Sequence, residues 1–132
     1  MHLTISWLGV FLAALSSFLV GGIWYGPLFG KRWQIEAGLS DEAMKRGKLP
    51  VILGVSFLLN IVAAALFAVF IGPKPGLLRA VEAGAAIGLG LVATSFWISY
   101  LFARRSLLLG LIDGGYMTLR FIVYGLVIAL VS

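Results

Sequence analysis

Four long apolar runs, at about 3–25, 51–71, 77–103 and 107–131, leave this chain few ways to fold. Each is about the length a helix needs to cross a ~30 Å hydrocarbon layer at 1.5 Å per residue. Transmembrane β-strands are shorter and alternate between apolar and polar residues. These runs are continuously apolar, so helices are expected. Composition agrees: 61% of residues are hydrophobic and 11% charged, where soluble chains are about 45–50% apolar. The expected fold class is an all-α membrane protein. It is a four-transmembrane-helix bundle, read as a single transmembrane domain over 1–132. The first run lacks the basic start and small-residue cleavage site of a signal peptide, and it reads as an uncleaved span.

The segment 27–50 holds most of the charge. Gly21, Gly22 and Gly26 loosen the end of the first span, and Pro27 is expected to stop it. Trp24 and Tyr25 fall where an interfacial aromatic belt belongs. Phe29, Trp33 and Ala37 recur every four residues, which predicts a short amphipathic helix lying in the interface, apolar side toward lipid. Gly38 suits a helix C-terminus. Ser40 then reads as the N-cap of a second short helix, with Asp41 and Glu42 in its first turn and Lys45, Arg46 and Lys48 at its end. The run Gly72-Pro73-Lys74-Pro75-Gly76 predicts a tight turn. Arg104-Arg105-Ser106 predicts a hairpin between the third and fourth spans.

Lys31, Arg32, Lys45, Arg46, Lys48, Arg104 and Arg105 lie on one side of this arrangement, against Lys74 and Arg79 on the other. The excess of Lys and Arg places those loops in the cytoplasm and both termini outside, in the inner (plasma) membrane. The net charge of +5 then reflects basic loops beside anionic lipid, and no nucleic-acid partner is expected. The chain has no cysteine and one histidine, His2. That excludes disulfides and thiolate sites, and a histidine-based metal cluster or catalytic triad needs more than one histidine. No cofactor is expected.

Polar groups inside the spans are where function would reside, because a charge at the bilayer centre costs about 2.5–3.5 kcal/mol on insertion scales. Asp113, Tyr116, Arg120 and Tyr124 share one face of the fourth span by i+3 and i+4 spacing. A hairpin turning near Arg105 brings Thr94, Ser95 and Ser99 near the depth of Asp113, and places Gly90, beside Gly88, level with Arg120. Small residues there would let Arg120 reach across. Glu82 is expected at the interface, paired with Arg79. Asn60 and the mid-depth serines Ser16 and Ser17 read as register-setting groups. The Gly84-xxx-Gly88 spacing suits close helix packing, within the bundle in preference to a homodimer.

Two stretches carry a resemblance. One is Trp24-Tyr25-Gly26-Pro27-Leu28-Phe29-Gly30-Lys31-Arg32-Trp33, followed by Gly38-Leu39-Ser40. The other is Arg105-Ser106, Leu109, Ile112-Asp113 and Gly115-Tyr116. Together they resemble the small bacterial and fungal membrane proteins of domain-of-unknown-function family 1761, over nearly the whole chain. That family has no assigned activity, so the resemblance implies architecture and not chemistry. It points to the interfacial motif (Trp24, Tyr25, Pro27, Phe29, Lys31, Trp33) and to 113–116 as the places to look. It also implies that asparagine can stand where Asp113 stands, so ionisation there is not required. Arg120 lies outside the matched pattern.

Three functions fit these features. The first is a small transporter, channel or solute-binding protein for an ion or small molecule. It would use the polar stripe, with the passage formed at the interface of a homo-oligomer, a dimer in the simplest case. The second is an accessory or structural protein that binds a partner through small-residue faces. A membrane enzyme comes third, because no nucleophile–base pair is visible.

Overall fold

In the computed structural model, residues 5–131 are described. The expected start of the first span at Leu3, and His2, lie outside that range. The described chain is helical, with no strand. Four helices are long and apolar enough to cross a membrane: α1 (Trp7–Leu28), α4 (Leu49–Ile71), α5 (Leu77–Phe102) and α6 (Leu107–Val131). Two short helices, α2 (Gly30–Glu36) and α3 (Asp41–Arg46), connect α1 to α4.

Local signals account for the ends. Ser6 caps α1 by accepting from the Gly9 amide at 3.1 Å. Ser40 caps α3 in the same way, accepting from Ala43 at 3.0 Å. Pro50 falls in the first turn of α4, where a missing amide proton is harmless. Arg104, at φ 59°, ends α5 in a left-handed conformation. Its guanidinium returns to the Leu101 carbonyl at 3.2 Å. Ser106 then starts α6 by accepting from the Leu109 amide at 3.1 Å.

Two expectations fail at the end of α1. Pro27 does not stop the helix. The chain runs through it as a π-helical turn, Trp24–Leu28. Pro27 has no amide proton to close an α-turn, so the turn widens and the Phe29 amide bonds the Trp24 carbonyl at 2.9 Å. Nor does α2 lay the Trp33–Ala37 face on lipid. Trp33 meets Tyr25 edge-on at 5.8 Å, and Arg105 donates to the Ala37 carbonyl at 3.1 Å. Ile35, on the other side, is exposed. The fold-back depends on Gly30, where a Cβ would lie 2.3 Å from the Tyr25 carbonyl oxygen.

The core sits at the end remote from the basic loops. Val10, Ala13, Ala64, Phe67, Phe121 and Ile128 pack there around Tyr124. α5 and α6 approach backbone to backbone: a Cβ on Gly84 would be 2.2 Å from the Phe121 carbonyl oxygen, and one on Gly125 2.2 Å from that of Ala80. The small-residue face is therefore used within the bundle. Toward the basic loops α4 parts from its neighbours, and Leu49, Val51, Ile52, Leu53 and Val55 are exposed. α5 has a π-helical stretch at Gly88–Ala93. Thr94 and Ser95 follow it, with their hydroxyls on carbonyls of their own helix, those of Gly90 and Leu91. Such bonding opens a helical turn.

Candidate functional site

α6 presents two faces, and its polar residues divide between them. Gly114, Thr118 and Gly125, with the backbone of Phe121, lie toward α5. Tyr116, Arg120 and Tyr124 lie toward α1 and α4. The expected reach of Arg120 across Gly88 and Gly90 does not occur. Thr118 occupies the space over Gly88, with its Cα 2.8 Å from where a Cβ would stand, and nothing packs on Gly90. Arg120 turns instead into a groove of about 640 Å³ between α1, α4 and α6, where the two outer helices diverge. From Leu107, Arg120 is 13 residues along α6, about 20 Å at 1.5 Å per residue.

The groove closes at a hydrogen-bonded cluster. Asn60 Oδ1 accepts from Ser17 Oγ at 3.1 Å and from the Tyr124 hydroxyl, and its amide donates to the Ser56 carbonyl at 3.2 Å. Ser17 shares its proton with the Ala14 carbonyl at 3.0 Å. Tyr116 donates to the Ser17 carbonyl at 2.8 Å, and Gly21 makes room for its hydroxyl, 2.7 Å from a Cβ position. Arg120 has no such partner among the described residues. Its Nε is buried and makes no hydrogen bond. No carboxylate among the described residues pairs with it; the ion pairs there are Arg32–Glu36 and Arg46–Glu42. Its guanidinium carbon rests 5.0 Å from the Phe121 ring centre and 5.8 Å from that of Tyr124. Aromatic faces ease a buried cation by about 0.5–2 kcal/mol but satisfy none of its N–H donors.

Asp113 belongs to a different centre, one to two turns inside α6 from the basic loops. It is buried, and its oxygens accept from Tyr25 at 2.6 Å and Tyr100 at 2.5 Å. Two indoles grip the same stretch of backbone. Trp24 Nε1 donates to the Ile112 carbonyl at 3.0 Å, and Trp97 Nε1 to the Gly110 carbonyl at 2.7 Å. Gly110, Gly114 and Gly115 give the rings access, with Cβ positions 2.9 to 3.1 Å from indole atoms. The motif around Asp113 is thus a glycine-lined seat for aromatic side chains from α1 and α5. Beside it, a cavity of about 250 Å³ is bounded by Trp33, Ala37, Tyr100, Arg105 and Asp113. Tyr25 lies between the two spaces: it lines the groove, bonds Asp113 and meets Tyr116 edge-on at 5.3 Å.

Of the residues named from sequence, Tyr116, Arg120, Tyr124 and Asn60 come together around the groove. Asp113 joins Trp24, Tyr25 and, through the smaller cavity, Trp33. Phe29 stacks on Trp24 at 4.7 Å. Lys31 is exposed, as are Ser95 and Ser99. Thr94 and Ser95 bond their own helix, and neither these two nor Ser99 meets Asp113. Glu82 and Arg79 are exposed and form no ion pair among the described residues. Sequence reasoning missed Trp97 and Tyr100 as contributors, whereas Ser17, named as a register-setting group, does bond Asn60 across helices. The available signal was positional: a hairpin turning near Arg105 puts Trp97 level with Asp113, and Tyr100 follows it by one turn on the same face. Among the described residues no group of three His, Asp or Glu side chains gathers as metal ligands.

The model of one protein family, described as a protein of unknown function (DUF1761), matches residues 8–129. The chain belongs to that family. In this DUF1761 member the match covers all four spans and both centres. No curated protein and no solved structure matches the chain. The function is therefore unknown from its relatives, and must be argued from the site.

Proposed function

We propose that this DUF1761 protein binds a small anion within the membrane and carries it across, with Arg120 as the anion-holding group. One observation carries the reading: a mid-span guanidinium, its Nε buried and unbonded, on the wall of an open groove. A mid-span guanidinium whose buried Nε has no partner among the described residues is a standing cost, and an anion bound there would relieve it. In this reading the Tyr25–Asp113 hydrogen bond is the closed partition between the groove and the smaller cavity, and Asp113 is a structural acceptor, not a proton carrier. The groove is formed within a single chain, so no second subunit is required. The protein sits in the plasma membrane with α2, α3 and the α5–α6 turn in the cytoplasm and both termini outside, on the strength of the Lys and Arg asymmetry.

Anion flux into proteoliposomes tests this. Arg120→Leu should reduce flux by about tenfold or more, the scale of a lost charged hydrogen bond, while Gly90→Ala, outside the groove and with nothing within 4 Å of its Cβ position, should leave it intact. No flux of any anion across a broad panel, from folded protein, would return the case to an accessory role. That role has less support here, because Gly84, Gly88 and Gly125 are spent between α5 and α6. The orientation has its own check, since the chain has no cysteine. In intact cells an impermeant maleimide should label Lys74→Cys and spare Asp41→Cys; the reverse pattern would invert the topology.

A further inference from the structure

The groove also specifies what kind of anion it takes, an inference that rests on the anion-binding reading above. Most of the polar groups on its wall are already committed: Asn60 to Ser56, Ser17 and Tyr124, Tyr116 to Ser17, Tyr25 to Asp113. What remains is the guanidinium of Arg120 and the Ser56 hydroxyl, one turn along α4 from Asn60. A compact hydrated anion would exchange a full shell of water for these few donors, at a large desolvation cost. The rest of the wall is apolar: Phe18, Leu49, Leu53, Leu59 and Met117. It runs along α4 from Asn60 to Leu49, 11 residues, or about 16 Å at 1.5 Å per residue. One cation balances one negative charge, and a second charge in this setting would stand uncompensated. The volume of about 640 Å³ lies within the range of sites that enclose a single small ligand, about 300–1,000 Å³.

We infer that the groove binds a single-chain hydrophobic monoanion, a medium- or long-chain carboxylate, with its head on Arg120 and its hydrocarbon body along α4. The carboxylate offers two acceptor oxygens to the planar fork of the guanidinium. The body covers walls that are otherwise open to lipid.

The test is equilibrium binding of radiolabelled dodecanoate to the full chain in phosphatidylcholine nanodiscs, with empty nanodiscs subtracted. Saturable binding of one molecule per chain is expected. Dodecanol should compete about tenfold less well or worse, for want of the charge, and acetate should not compete. Arg120→Leu should lower affinity about tenfold or more. Gly22→Trp offers a second route should Arg120→Leu fail to fold. A Cβ at Gly22 meets nothing within 4 Å, so the ring enters the groove without forcing the backbone, and binding should be lost. Acetate or chloride competing as well as dodecanoate would overturn the inference while leaving anion binding standing. Dodecanol binding as tightly as dodecanoate would reduce the groove to an apolar slot. Loss of dodecanoate binding in nanodiscs containing phosphatidylglycerol would make a two-chain lipid the occupant and overturn the single-chain ligand. Binding of no anion at all by folded protein would remove both readings.

Discussion

Replacing Asn60 by leucine would strip the shared acceptor from two hydroxyls, those of Ser17 and Tyr124, in a part of the bundle where Ser17 and Tyr124 have no exposed surface. Interhelical hydrogen bonds in membranes average about 0.6 kcal/mol each. Asn60→Leu should therefore lower stability by about 1–2 kcal/mol in detergent unfolding. Asp113 should behave in a graded way. Asp113→Asn keeps an acceptor for Tyr25 or Tyr100, whereas Asp113→Leu leaves both hydroxyls unpaired. The leucine variant should unfold at lower denaturant, by about 1–3 kcal/mol relative to asparagine. Equal stabilities would mean that the two tyrosines bond elsewhere. The depth of each of these side chains was legible from its place in its own span. Their partners were not, because hydrogen-bond partners come from other helices whose rotation no single span encodes. Arg120 illustrates this: its depth was readable, but the side it faces depends on Thr118 and Phe121 having taken the contact with α5.

At the scale of elements, glycines decide which surfaces meet. A Cβ on Gly30 would press within 2.3 Å of the Tyr25 carbonyl oxygen, while one on Gly26 would meet nothing. Gly30→Ala should release α2 from its fold-back and speed tryptic cleavage after the exposed Lys31 and Arg32 by severalfold. Gly26→Ala should leave the rate unchanged. Gly84→Val should be more damaging, since its Cβ would strike the backbone of Phe121. Overpacking of this kind costs about 1–3 kcal/mol or more, readable as early loss of helical signal in thermal unfolding. The turns at 72–76 and 104–106 and the Ser40 cap were legible at this scale, because turn and capping chemistry act locally; the stop expected at Pro27 did not form. The π-helical turns were not legible. They arise where a missing proline N–H, or hydroxyl bonding to the chain's own carbonyls, meets packing that tolerates a wider turn.

Across the whole molecule, the packing is uneven along the membrane normal. Phe67, Phe121 and Tyr124 wedge α1, α4 and α6 together at one end, and no comparable cluster joins α4 to its neighbours at the other. Spin labels at Gly22 and Leu53, across the groove, should therefore give a broader distance distribution than labels at Leu8 and Leu66, at the packed end. Dodecanoate should narrow the first distribution and leave the second unchanged. Matching widths at the two ends would mean that the groove is closed in lipid.

Residue chemistry alone was enough to set the solvent, the number of spans and the turns that link the second, third and fourth. These follow from transfer energies and turn chemistry that every residue carries with it. The small-residue contact between α5 and α6 was also readable, since only glycine permits so close an approach. The splitting of the polar stripe on α6 into two centres, one buttressed by tyrosines and one left open, came from helix packing. That outcome depends on the rotation of four helices about their axes. It is set by how glycines, indoles and hydroxyls from different helices interlock, and the periodicity of any one helix is silent about it.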